Sequence, residues 1–175
     1  MTRYAAFLRG VNLGKRTVKS AELKASFEAM GFGNVKTLLA SGNVLFDTKS
    51  AKGLKAKIEA GLQEQFGFAI GTVLRSLDEL KAMVDSDPYG GVVANDDANL
   101  HVTLFDEPIP AGFTQKGVAG DFDVPTITDR EIFLIMYRKP DGTYLGNSSL
   151  DTEKRLPKGT LVTTRNWNTI LKAIA

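Results

Sequence analysis

The sequence predicts an α+β protein built on antiparallel sheets, and three observations carry that expectation. Short β-compatible runs and amphipathic helical stretches follow one another in the order β, α, β, β, α, β over residues 1–75. Two of those strands are separated only by Ser41-Gly42-Asn43, a hairpin signal that makes them antiparallel neighbours. The chain closes with a helix whose Trp167, Ile170, Leu171 and Ile174 fall at i, i+3, i+4 and i+7, and an end so apolar is expected to dock on a core.

Tyr4 to Val11 is apolar apart from Arg9 and forms the first strand, with Ala5, Phe7 and Arg9 on one face. The segment Gly10-Val11-Asn12-Leu13-Gly14-Lys15-Arg16-Thr17 superficially resembles a phosphate-binding loop. Such a loop needs four residues between its glycines and a Ser or Thr directly after the lysine, so that the backbone wraps the phosphates and the hydroxyl reaches a metal. Here three residues separate the glycines and Arg16 precedes Thr17, which argues against nucleotide hydrolysis. A looser anion contact through Lys15, Arg16 and the glycine amides stays open beside the plainer reading, a strand-to-helix connection with solvated cations.

Ser20 is expected to cap a helix with the stripe Leu23, Phe27 and Met30, Glu22 favouring its dipole and Gly31 ending it. Strands at 35–40 and 44–46 follow, then a helix from about Ala51 to Phe66 with Leu54, Ile58, Leu62 and Phe66 inward, ended by Gly67, and a strand from Phe68 to Leu74. This is the ferredoxin-like order, one antiparallel sheet with both helices on one face. Many RNA-binding domains share it and stack bases on aromatics of the central strands. Here Tyr4 and Phe7 point to opposite faces and Phe46 stands alone, so no stacking platform is present.

The second half opens with Ser76-Leu77-Asp78-Glu79, a capping box for a helix carrying Leu77, Leu80 and Val84 and stopped by Pro88. Asp85, Asp87, Gly90 and Asp96 echo a calcium loop, but Pro88 and Tyr89 stand where a turn residue and a ligand belong and Asp96 replaces the final glutamate. Leu100 to Phe105 reads as a strand holding the sole histidine, His101. Residues 106–123 form a long connection whose Asp121 and Asp123 have no third metal ligand nearby, and no metal site is expected. Glu131 to Arg138 is the most apolar strand, buried on both faces. Pro140-Asp141-Gly142 turns the chain, a short helix near Asp151 to Leu156 ends at Pro157, and a strand from Thr160 to Thr164 leads to the terminal helix. Residues 1–75 are thus expected to be a ferredoxin-like subdomain and 76–175 a second α/β subdomain, ferredoxin-like or a degraded copy.

At 175 residues the chain can bury roughly two-thirds of its unfolded surface without a staple. It has no cysteine, which removes thiolate chemistry and fits a reducing compartment. No apolar run approaches ~18 residues and the start is too short and too charged for a signal peptide, so the reading is soluble, cytoplasmic and without a membrane partner. The net charge of +2 hides a segregation: +5 over residues 1–36, +2 over 37–77, −9 over 78–131 and +4 over 138–175. Basic ends brought together would attract a phosphate-bearing partner; acidic loops that are merely solvated would explain the same numbers.

Three motifs, Leu8-Arg9-Gly10-Val11-Asn12-Leu13-Gly14, Ser41-Gly42-Asn43-Val44-Leu45-Phe46 and Thr163-Thr164-Arg165-Asn166-Trp167-Asn168-Thr169, occur in that order. Together they resemble the bacterial family called domain of unknown function 1697. The resemblance implies a pair of ferredoxin-like subdomains and brings no established activity, cofactor, partner or catalytic residue with it.

The best functional expectation is a module that binds a small phosphate-bearing ligand or a nucleic-acid backbone through a basic surface. Its candidate residues are Arg9, Asn12, Lys15, Arg16, Arg165, Asn166 and Asn168. Arg165 precedes a helix start, where a cation is unfavourable unless an anion compensates, and the nearest acid in sequence is Glu153. Asn166 and Asn168 can equally serve as helix caps. The alternatives are an enzyme of unknown reaction, with Arg9, Lys15, Arg165 and His101 as polarising groups, and a protein-interaction module using a sheet face or the acidic middle segment.

Overall fold

The computed structural model describes residues 1–12, 17–39, 42–144 and 152–175. The chain divides into two compact units, Met1–Lys81 with Lys172–Ala175, and Ala82–Leu171.

The first unit contains β1 (Thr2–Arg9), α1 (Ser20–Ala29), β2 (Gly33–Thr37), β3 (Asn43–Thr48), α2 (Leu54–Phe66) and β4 (Gly71–Ser76). Its sheet runs β2-β3-β1-β4 with every neighbouring pair antiparallel, which is the ferredoxin-like order. Ala6, Leu8, Val44 and Phe46 of the central strands meet Leu23 and Phe27 of α1 and Leu54, Ile58 and Leu62 of α2 in one core. Phe32 and Phe46 anchor it with ring centres 4.6 Å apart. On the other face of the sheet Ala5, Phe7, Leu45, Val73 and Arg75 are also buried. Burial of both faces is why β1 reads as a continuous apolar run.

Several boundaries differ from expectation. Ser20 is the first helical residue and Lys19 holds the cap position without a side-chain bond. The strand-to-strand connection is wider than a tripeptide: β2 stops at Thr37, Leu39 turns left-handed at φ 51°, and the Leu38 N–H donates to the Asn43 carbonyl at 2.9 Å. Ser41 lies outside the described residues. The last strand of the unit begins at Gly71 rather than Phe68, because Phe68 packs against Phe66 of α2 and spends the intervening residues on that contact.

Helix α3 (Leu77–Asp85) spans the point of division, and it begins with the expected reciprocal bonds between Ser76 and Glu79, both 3.1 Å. The second unit then contains β5 (Ala98–Phe105), β6 (Phe122–Ile127), β7 (Glu131–Tyr137), α4 (Thr152–Arg155) and β8 (Val162–Asn166), followed by α5 (Trp167–Ile174), whose last residues group with the first unit. The sheet order β6-β7-β5-β8 repeats that of the first unit, again antiparallel throughout. Among the described residues its crossovers are irregular connections, with the four-residue α4 between β7 and β8. Phe105, Phe122, Ile132, Leu134, Met136, Leu156 and Val162 form a core on one face, joined by Ile109 and Phe113. Against Phe133 on the other face Tyr89 and Trp167 pack edge-on, at 5.7 and 6.0 Å between ring centres. Trp167 is how α5 docks in this unit.

Strand β6 was not expected. Pro125 removes a ladder donor and shifts the register between Asp123 and Thr126, a defect that only an edge strand accommodates.

Candidate functional site

Each sequence-predicted site residue has a definite place except Lys15 and Arg16, which lie outside the described residues. Arg9 is exposed at the end of β1, opposite Gly71. Asn12 accepts a bond from the Val18 N–H at 3.1 Å and so closes the loop that leads to α1. In the second unit Arg165 sits in β8 opposite Val102, its Nη1 donating to Thr163 Oγ1 and, at 3.1 Å, to the Thr164 carbonyl. Asn166 Oδ1 accepts the Asn168 N–H at 2.9 Å, so Asn166 caps α5, and Asn168 is exposed on its first turn. Asp121 pairs with Lys139 at 3.7 Å and Asp123 accepts from the Tyr137 hydroxyl at 2.6 Å.

His101 lies in β5 between Leu134 and Asn166. Burial lowers its pKa, and its Nδ1 meets no partner among the described residues. Also among the described residues, no three His, Cys, Asp or Glu gather as a metal site would need.

A basic groove of about 410 Å³ in the first unit collects residues that the sequence reading passed over. It lies where β3 ends and α2 begins. Thr48, Ser50 and Lys52 make a chain of local bonds, the Ser50 N–H to Thr48 Oγ1 at 3.4 Å and the Lys52 N–H to Ser50 Oγ at 3.2 Å, which turn the chain out of the sheet. Gly53 then takes a left-handed conformation at φ 62°, open to glycine without strain, and starts α2 with no side-chain cap and no acid in its first turn. The dipole of that helix start gives the groove a partial positive charge. Lys49, Lys52 and Lys57 line it, and none of them meets a carboxylate among the described residues. Lys57 is further held by the face of Phe32, 4.9 Å from the ring centre on the opposite wall.

One carboxylate lines this groove among the described residues, that of Asp47, and it is occupied: Asn34 Nδ2 donates to it at 2.6 Å and Arg3 Nη1 at 2.9 Å. These two hydrogen bonds, the Asn34 one first, hold its pKa below the ordinary value. What remains is three lysines and a helix start facing one cavity, an arrangement that attracts oxyanions. The signal was present in the sequence as Lys49, Lys52, Lys55 and Lys57 with no acid among them. Arg9 stands six residues along β1 from Arg3, about 20 Å away at the other end of the same sheet, so Arg9 and the groove are separate.

The chain is similar throughout to a solved structure described as that of the conserved bacterial protein SP0830 from Streptococcus pneumoniae. The two are 23% identical with a TM-score of 0.66, over 99% of this chain and 96% of that one, and what they share is the fold. No curated protein matches the chain. Among the described residues no helix is long and apolar enough to cross a membrane. A family model described as a protein of unknown function (DUF1697) matches residues 1–133, a span that includes the first two of the three motifs noted above and stops before the third. The chain belongs to the DUF1697 family.

Proposed function

We propose that the protein is a binding module for phosphate-bearing ligands, and that the groove of Lys49, Lys52 and Lys57 at the start of α2 is where the phosphates sit. The observation that carries this reading is three lysines without carboxylate partners, among the described residues, converging with an uncapped helix start on one cavity whose acid is already neutralised. The charge of the units supports it: the first carries fourteen Lys and Arg against seven Asp and Glu, a net +7, and the second is left with −5. Base stacking on the sheet has no place in the reading, since Ala5, Phe7, Leu45 and Val73 on the helix-free face are buried. Contacts to phosphate rather than to bases are what this surface offers.

Calorimetric titration with tripolyphosphate and with single-stranded DNA tests it. Each exposed ion pair is worth about 0.2–1 kcal/mol, so changing Lys49, Lys52 and Lys57 together to Ala is expected to weaken tripolyphosphate binding roughly 10- to 100-fold. For DNA the slope of log affinity against log salt is expected to flatten by about 2. Unchanged affinity in the folded triple variant would overturn the assignment. Arg9→Ala separates the two ligand classes. A polyanion long enough to span the ~20 Å between the groove and Arg9 loses affinity, and tripolyphosphate does not.

A further inference from the structure

We propose that the second unit carries a separate site for a small monocarboxylate, in the cleft around Arg155. The cleft, about 330 Å³, is walled by Pro110, Ala111, Gly112 and Phe113 from the β5–β6 connection and by Arg155 and Pro157 from the end of α4. Arg155 is the one charged group in that lining among the described residues.

Its guanidinium is fixed before any ligand arrives. The carbon at its centre lies 4.8 Å over the Phe113 ring, Nη1 donates to the Thr114 carbonyl at 2.7 Å, and Nη2 donates to Gln115 Oε1. Gln115 is itself buried and its Oε1 also accepts from Thr152 Oγ1 at 3.2 Å, so the anchor is braced from α4 as well. Every one of these partners is neutral, and no carboxylate meets Arg155 among the described residues. Among the described residues two of its five N–H donors are engaged and three remain, held in a planar fork that matches a carboxylate. The backbone N–H groups of Ala111 and Gly112, on the same wall, likewise have no acceptor among the described residues.

The remaining surroundings select the class of ligand. One cation set among two prolines, an alanine and an aromatic ring suits a single negative charge on an apolar body. A polyphosphate would find one cation here among the described residues, in a unit whose net charge of −5 repels it. This differs from the lysine groove in charge, in walls and in location.

Benzoate is the probe, added to the full chain and followed by amide NMR shifts. A ligand of its size is expected to bind near ~1 mM, with shifts centred on residues 111–114 and 155. Benzamide, its neutral counterpart, is expected to bind at least tenfold more weakly. Arg155→Gln is expected to lose at least tenfold in benzoate affinity, and Arg155→Lys, which keeps the charge without the fork, to fall between. The variant lacking Lys49, Lys52 and Lys57 is expected to bind benzoate like the parent. Equal binding of benzamide and benzoate, absence of shifts in the parent chain, unchanged affinity in folded Arg155→Gln, or loss of benzoate binding in the lysine variant would each overturn the proposal. Should Arg155→Gln fail to fold, the benzamide comparison on the parent chain decides alone.

Discussion

Asp47 shows how a single carboxylate can set the character of a surface. It joins the start of β1 to the start of β2 through Arg3 and Asn34, and Arg3 also donates to the Asn34 carbonyl at 3.0 Å. Asn34 holds a left-handed φ of 47°, which its short amide side chain tolerates. The triad removes from the groove the negative charge that would compete with a bound anion. Because hydrogen bonds lower the pKa of Asp47 from 3.8 in the folded state, the carboxylate contributes stability above that value, and the contribution is lost as pH falls through the lowered pKa. Asp47→Asn is therefore expected to be less stable than the parent at about pH 7, with the gap closing as the pH falls below about 4. Urea midpoints measured across that range check this, and a gap independent of pH would show that the carboxylate charge contributes nothing. None of this was legible beforehand: Arg3, Asn34 and Asp47 are far apart in sequence, and only the antiparallel pairing of β1, β2 and β3 assembles them.

Helices α1 and α2 approach one another where Gly61 faces Met30. A Cβ added at Gly61 would lie 2.7 Å from Met30 Sδ and 3.1 Å from its two neighbouring carbons. Alanine in place of glycine within a helix gains about 1 kcal/mol in propensity, whereas overpacking costs about 1–3 kcal/mol. Gly61→Ala alone is expected to lower stability by up to about 2 kcal/mol, and in a Met30→Ala background to raise it by about 1 kcal/mol. A double-mutant cycle of denaturation midpoints checks the sign reversal; additive effects would mean that Met30 moves aside freely. Periodic elements such as these were readable in advance, because a stripe at helical spacing and a glycine stop leave few alternatives. The capping box at Ser76 and Glu79 was equally plain, since both partners lie within one turn. Strand β6 was hidden by its own sequence, where Pro125 and the polar residues Asp123 and Thr126 give no apolar alternation.

At the scale of the whole chain, the charge segregation seen in the sequence resolves into two units of opposite sign, +7 and −5. The recurrence of strand order in both sheets was less visible, because among the described residues the second sheet has irregular connections, which carry no periodic signal, where the first has crossover helices. The candidate groove was half legible. Its lysines stand out in a row, but their convergence on one cavity depends on the left-handed Gly53 and on the opposing wall of Gly31, Phe32 and Gly33. Sequence reading favoured the terminal motif for its unusual composition. There Asn166 acts as the helix cap, and Trp167 supplies the packing anchor.

That anchor makes the protein self-reporting. Trp167 is the sole tryptophan and is buried between the edges of Tyr89 and Phe133 in the second unit. Selective excitation of its indole therefore reads one half of the chain without any attached dye. Blue-shifted emission and weak quenching by acrylamide are expected in the native protein, changing to the red emission of solvated indole on unfolding; native emission already at the solvated position would refute the packing. Far-ultraviolet circular dichroism sums both halves, so plotting the two optical signals against denaturant distinguishes one cooperative transition from two.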